Sequence, residues 1–173
     1  MTIALGAVLA GGSSRRFGSD KAQAMLDGAP LIEHAVRALS AHVERVVVIG
    51  RDHGEWKSAP DRPEAGLGPL GGIAGALSHA MVTGAPSVLT VACDVPHPPD
   101  ALFTALTRAP AFCEDHPVFG HWPTSLLPDL LAWLGREDDR SVRGFARAVG
   151  AIPVRIDEPI ADIDTREDLE RAR

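Results

Sequence analysis

A glycine-rich, basic stretch carries the strongest chemical signal in the chain: Leu9-Ala10-Gly11-Gly12-Ser13-Ser14-Arg15-Arg16-Phe17-Gly18-Ser19-Asp20-Lys21-Ala22, directly after a short apolar run. Small residues let backbone N–H groups approach an anion, and Arg15, Arg16 and Lys21 add positive charge within the same short loop. Triphosphate is the natural guest. A plain glycine turn with solvated basic residues is the competing reading, and the combination of paired glycines, paired arginines and a lysine after a buried-strand pattern weakens it. The stretch is neither Walker A, because Lys21 does not follow a glycine, nor G-x-G-x-x-G. Asp94 is the second signal, standing at the carboxyl end of an otherwise apolar segment, where open α/β sheets bind ligands and where a carboxylate can hold Mg²⁺ bridging phosphate oxygens. Its ordinary alternative is to cap the turn that Pro96 requires. The third is Asp61, ahead of Gly66-Leu67-Gly68-Pro69-Leu70-Gly71-Gly72, an approach to a helix that could fold over a nucleoside or simply cap the helix.

These residues need a scaffold, and the hydrophobic pattern supplies one. Residues 3–10, 43–49 and 87–93 are apolar runs of strand length, and the first ends on the glycine pair. Between them, Ile32, Ala35, Val36 and Leu39 after Pro30, and Leu70, Ile73, Ala74, Leu77 and Met81 after the second glycine cluster, fall at helical spacing. Strands alternating with helices predict a Rossmann-like three-layer α/β/α sandwich around a mostly parallel sheet. Past Asp94 the prolines at 96, 98 and 99 weaken the pattern. A helix over 100–107, a strand near 117–122, helices near 125–134 and 141–149, a strand over 152–156 and a final helix opened by Thr165-Arg166-Glu167-Asp168 are the expected pieces. With no repeat or linker to divide it, 1–173 reads as a single domain.

Composition limits the partners. At 173 residues and 45% apolar content the chain can bury a substantial core. A net charge of −6 argues against a general nucleic-acid binder, so any phosphate site must be local. The absence of a basic leader and of an apolar run of bilayer length makes the expectation a soluble, cytoplasmic protein that does not bind membrane. Cys93 and Cys113 form neither a disulfide framework nor a four-ligand zinc site and read as buried thiols. His116, His121, Trp122 and Trp133 read as packing residues.

Together, LAGG-x-S-x-R-x-G-x-D-K, Asp61 before GPLGG, and Asp94 in Cys-Asp-Val-Pro resemble the molybdenum cofactor guanylyltransferase family, within the nucleotidyltransferases of the sugar-nucleotide type. The resemblance covers residues 3 to about 102. It implies that Leu9, Ala10, Gly11 and Gly12 line the base and phosphates, that Arg16 and Lys21 grip the triphosphate, that Asp61 contacts the nucleoside, and that Asp94 binds Mg²⁺. The acceptor it implies is molybdopterin or molybdenum cofactor, with transient protein partners in cofactor delivery. His116-Pro117-Val118-Phe119-Gly120 and Arg140-Ser141-Val142 look like the family's acceptor-side segments, while the stretch between Leu106 and His116 is short, as if a family strand were trimmed. Asp162-Ile163-Asp164-Thr165 departs from the family's Asn-x-Asn-Thr toward the Asp-x-Asp-Thr of cytidylyl-type enzymes. That likeness implies that Asp162 or Asp164 completes the metal site and that the other caps the final helix.

The expected reaction is in-line attack by the acceptor phosphate on the α-phosphorus of GTP, with loss of pyrophosphate. GTP is expected over CTP because cytidylyltransferases of this kind tend to read Leu-Ala-Ala-Gly where this chain has Leu9-Ala10-Gly11-Gly12, and a missing Cβ opens space for a purine. The rivals are CTP with molybdopterin, CTP with a sugar or polyol phosphate, and a catalytically idle nucleotide-binding subunit. A dinucleotide dehydrogenase is disfavoured by the missing glycine fingerprint and by Gly50, not an acidic residue, closing the second strand.

Overall fold

Ala7 and Val8, Val47 and Val48, and Val88 and Leu89 are sequence neighbours, yet each pair divides between two separate cores and every member is fully buried. Period-2 alternation with both sides apolar is what a sheet covered on both faces demands. The computed structural model describes residues 3–12, 17, 20–136 and 139–173. Among these, strands β1 (Gly6–Leu9), β4 (Val46–Ile49), β5 (Lys57–Ala59), β6 (Ser87–Ala92), β7 (Ala111–Cys113), β8 (Gly120–Pro123) and β9 (Ile152–Val154) form one sheet in the order β5-β4-β1-β6-β8-β7-β9. β2 (Met25–Leu26) and β3 (Ala29–Pro30) make a separate small hairpin. β8 runs antiparallel to both its neighbours, and the other pairings are parallel. The expected mostly parallel three-layer arrangement is therefore the one observed, and six strands place their carboxyl ends along one edge.

One face carries α2 (Pro69–Thr83), α4 (Leu127–Leu134) and α5 (Val142–Ala148) against Ala7, Val47, Phe112 and Trp122. The other carries α1 (Leu31–Ser40) and α3 (Asp100–Ala105) against Val8, Val48, Leu89 and Val91. Each fully buried Leu or Ile of these faces contributes about 1.5–3 kcal/mol. α2 contains all the residues expected at helical spacing and is apolar on nearly all sides, although Met81 is 52% exposed and Ala80 takes the buried place. Gly75 lets α2 lie against the chain, since a Cβ there would stand 2.3 Å from the Pro60 carbonyl oxygen. α6 (Arg166–Arg171) closes the chain with the expected capping box, formed by Thr165 and Asp168.

Besides the β2–β3 hairpin, two strands of the main sheet escaped the sequence pattern. β5 and β7 have three residues each, too few for an alternation to register. The short stretch between Leu106 and His116 retains its strand as β7. No helix among the described residues is long and apolar enough to cross a membrane.

Candidate active site

Parallel pairing brings the chemistry together. β1 lies between β4 and β6 with Leu9 opposite Ile49 and Ala92, and the ladder continues past the strand ends through Ala10 N–H to the Ile49 carbonyl (2.9 Å) and Cys93 N–H to the Leu9 carbonyl (3.3 Å). Beyond this edge opens a cavity of about 420 Å³. Leu9, Ala10, Gly11, Gly12, Lys21, Asp61 and Asp94 all line it. The amino terminus of α2 contributes Gly68, Pro69 and Gly72, so the positive end of the helix faces the same space. Arg16 lies outside the described residues.

Lys21 opens a short 3-10 turn, Lys21–Gln23, and is largely buried, with 9% of its surface exposed. The competing reading of a solvated basic residue does not fit Lys21, whose side chain turns inward. Its Nζ donates to Asp94 Oδ2 at 2.9 Å and to Asp164 Oδ1 at 2.6 Å. Burial pulls the ammonium pKa down, but the hydrogen bonds and charges of Asp164 and Asp94 outweigh it, leaving Lys21 above its ordinary value and charged.

Asp164 arrives from the far end of the chain. Ile163 N–H donates to the Asp94 carbonyl at 2.9 Å, and the Ile163 side chain is buried among Phe17, Leu26, Leu31 and Leu169. Asp168 Oδ2 then accepts from the N–H groups of Asp164 (3.1 Å) and Thr165 (2.7 Å), fixing the backbone on the next turn. The Thr165 hydroxyl, which donates to the same oxygen at 2.8 Å, leads the Thr165 N–H and the Arg171 guanidinium in holding the Asp168 carboxyl down to about 2. Asp162 is exposed and lines no part of the cavity. Nor does it cap the last helix, a task that Thr165 and Asp168 perform together. The expectation that one of the two aspartates caps the final helix is thus corrected, and Asp164 is the one that meets Lys21 beside Asp94.

Asp61 follows β5 and Pro60, and its carboxylate looks across at Gly11. A Cβ on Gly11 would lie 3.0 Å from Oδ2 and 3.2 Å from Oδ1. The space left by the missing methyl is therefore faced by a carboxylate, which corrects the expectation of simple open room for a base. Burial raises the Asp61 pKa. Gly50, with φ of +90°, packs so closely that its Cβ would stand 2.6 Å from Gly11 Cα. A side chain at Gly50 would be strained and would displace the glycine loop.

Cys93 lines the cavity, but burial pushes its thiol up to about 12, so it is protonated and no nucleophile. Cys113 is buried, as expected. His121 donates or accepts through both ring nitrogens, Nδ1 to the Leu106 carbonyl (2.9 Å) and Nε2 to Ser87 Oγ (2.8 Å), which is the packed histidine the sequence suggests. Trp122 is a core residue whose Nε1 donates to Thr90 Oγ1 at 3.0 Å. Sequence reasoning missed Arg51, and it named Asp20, Gly50 and Val118 without a role at this cavity. Gly50 and Arg51 could have been found, because they end β4 at the same edge where Gly11 ends β1 and Asp94 ends β6.

The description "MobA-like NTP transferase domain" matches residues 6–151. The chain belongs to the MobA-like NTP transferase family. A molybdenum cofactor guanylyltransferase of Rhodobacter capsulatus is 36% identical over 96% of this chain and 93% of its own. One of Rhizobium leguminosarum bv. trifolii is 39% identical over 81% and 73%. Among solved structures, molybdopterin-guanine dinucleotide biosynthesis protein A of Archaeoglobus fulgidus superposes with a TM-score of 0.77 at 22% identity, covering 97% of this chain and 96% of that one. This transferase also shares its fold with 2-C-methyl-D-erythritol 4-phosphate cytidylyltransferase of Thermus thermophilus (TM-score 0.66, 15% identity, 99% and 97% covered). It is a nucleotidyltransferase, and the residues at its sheet edge have to be read as parts of that machinery.

Proposed function

We propose that this transferase moves GMP from GTP onto the phosphate of molybdopterin, releases pyrophosphate, depends on Mg²⁺, and works as one domain over 1–173 in the cytoplasm, with transient protein partners delivering or receiving the cofactor. The observation that carries the reading is the charged floor of the cavity, where Asp94, Lys21 and Asp164 meet within hydrogen-bond distance beneath the Leu9–Gly12 segment. The guanylyl half of the reading follows the names of the relatives that align over nearly the whole chain.

Asp94 and Asp164 suit a hard divalent cation. Their carboxylate oxygens already converge on one cationic atom, and oxygen donors with room left for phosphate and water are what Mg²⁺ selects. When bound there it would neutralise the approaching anions. Everything else falls to the chain itself. An oxygen of the acceptor phosphate attacks the α-phosphorus of GTP, a new P–O bond forms, and the α–β bridging bond breaks so that its electron pair leaves on pyrophosphate. Lys21 and Arg16 stabilise that charge. Backbone N–H groups of Gly11 and Gly12 and the α2 amino terminus hold the phosphates, and Asp61 accepts from the nucleoside. Positioning and charge stabilisation supply most of such catalysis.

Pyrophosphate release tests this directly. Release with GTP plus molybdopterin and none without acceptor is expected. Preference for CTP would replace the base and keep the reaction class, a reading to which the cytidylyl-like Asp164 lends some weight. Tight GTP binding with no release under any acceptor would make the protein a nucleotide-binding subunit instead.

A further inference from the structure

Arg51 stands one residue past β4, after the turn made by Gly50, and its guanidinium reaches two distant points of the chain. Nε donates to the Ala10 carbonyl at 3.0 Å, and Nη1 donates to both carboxylate oxygens of Asp20, at 2.8 and 2.7 Å. Ala10 is where the chain enters the glycine-rich segment and Asp20 is where it leaves, immediately before Lys21. Ala10 is itself anchored through its N–H on the Ile49 carbonyl, so Arg51 ties the exit of the loop to the central sheet. The Arg51 side chain is only 23% exposed, which keeps water from competing freely for these donors.

We propose that Arg51 is a positioning residue for nucleotide transfer: by bridging Ala10 and Asp20 it fixes the span of the triphosphate loop and, through Asp20, the placement of Lys21 beside Asp94 and Asp164. The proposal rests on the reading of that loop as the triphosphate site. The geometry demands arginine. A planar guanidinium serves two acceptors in different directions at once, whereas a lysine ammonium is a point charge on a flexible stem that can satisfy one flank and strain toward the other. Without the bridge, the nucleotide must itself hold Ala10 and Asp20 at their separation as it binds, and the phosphates meet Lys21 out of place.

Steady-state kinetics on the full chain, with GTP and molybdopterin varied in turn, tests this alongside thermal unfolding. Arg51→Gln keeps the aliphatic stem and removes the fork. It should lower kcat/KM for GTP about 10- to 100-fold, the loss that an ångström-scale misplacement produces, chiefly by raising KM for GTP and leaving KM for molybdopterin unchanged. Asp20→Asn should reproduce the effect, the double variant should be no worse than either single one, and Arg51→Lys should recover only part. Additive losses, an unchanged KM for GTP, full rescue by lysine, or a loss that merely follows a lowered Tm would each overturn the proposal. Lys21→Ala in parallel separates the two readings. If it leaves GTP binding and turnover intact, the triphosphate reading of the loop is wrong and the clamp falls with it; if it cripples turnover while Arg51→Gln leaves KM for GTP untouched, the clamp alone is wrong.

Discussion

Residues 3–94 and residues 106–173 reach the same cavity by different physical means. In the first region β1, β4 and β6 pair in parallel, and simply ending each strand delivers Ala10 to Gly12, Gly50 with Arg51, and Cys93 with Asp94 to one edge. In the second, β7 and β9 have three residues each, β8 runs the other way, and the carboxylate donated to the charged floor comes from an extended segment near the end of the chain. Asp164 is placed by the Ile163–Asp94 backbone bond and by burial of Ile163, not by the sheet. Strand-end residues inherit their position from local pattern, while a docked segment inherits its position from everything it docks on.

Lys21 is where the two regions meet, so its removal should have the largest effect. Lys21→Ala should lower turnover by about 10²-fold or more, as expected when one partner of developing negative charge is lost. It also leaves Asp94 and Asp164 facing one another without the ammonium between them, so the metal-free variant should unfold at a lower temperature than the parent. Adding Mg²⁺ should recover much of that loss if the two carboxylates share a cation site. Near-normal turnover would remove Lys21 from the mechanism, and a Tm deficit indifferent to Mg²⁺ would separate the two regions.

The next largest effect sharpens the comparison within the acidic residues. Asp94→Asn and Asp164→Asn should each raise the half-activating Mg²⁺ concentration by at least the roughly tenfold that even outer-shell losses produce, because an amide is a poorer ligand for a hard cation. Asp162→Asn should leave it unchanged. Titration of Mg²⁺ in the three variants decides the matter. Equal behaviour of Asp162 and Asp164 would mean that the docked segment sits differently when the nucleotide is present.

The legibility of the site follows the same line. Leu9 to Gly12, Lys21 and Asp94 were readable because a glycine pair or a carboxylate ending an apolar run has few ordinary explanations. Their strands and the α1 and α2 helices were readable for the same reason: long apolar segments with clear periods. The choice between Asp162 and Asp164 was not, since both are aspartates of one extended stretch whose placement depends on where that stretch docks through Ile163. The strand end puts Arg51 at the edge, but its role was not legible, because its partners lie 41 and 31 residues away and an arginine in a polar turn reads as solvated. β5 and β7 are pairing events more than patterns.

A smaller effect belongs to the wall shared by Gly11 and Asp61. Gly11 is not in the left-handed region, so Gly11→Ala acts through space alone, pressing a methyl to 3.0 Å from the Asp61 carboxylate. A methyl-sized change is commonly worth about 1–3 kcal/mol, or roughly 10- to 200-fold in discrimination, and the lower end fits a carboxylate that can yield a few tenths of an ångström. kcat/KM for GTP should fall more than that for CTP. Equal falls for both would mean that Asp61 reads the ribose or nothing, and that the base is chosen elsewhere.

The smallest effect is on stability, and its sign distinguishes a residue kept for binding from one kept for folding. Burial raises the Asp61 pKa above its ordinary 3.8, so in the window just above 3.8 the folded chain holds a proton that the unfolded chain has already released. Folding is then favoured at low pH, and the contribution is lost as pH rises through the folded pKa, leaving an ionised carboxylate that burial penalises. Asp61→Asn carries no such charge. In the absence of nucleotide the variant should therefore unfold at a higher temperature than the parent near neutral pH, and the difference should shrink toward zero as pH falls through the window toward 3.8. The same substitution should weaken GTP binding, because a carboxylate accepts from nucleoside donors more strongly than a neutral amide. Unfolding midpoints of both proteins across pH, with and without GTP, measure the two effects together. A difference independent of pH would show that Asp61 is held ionised at no cost, and the trade of stability for recognition at this wall would not exist.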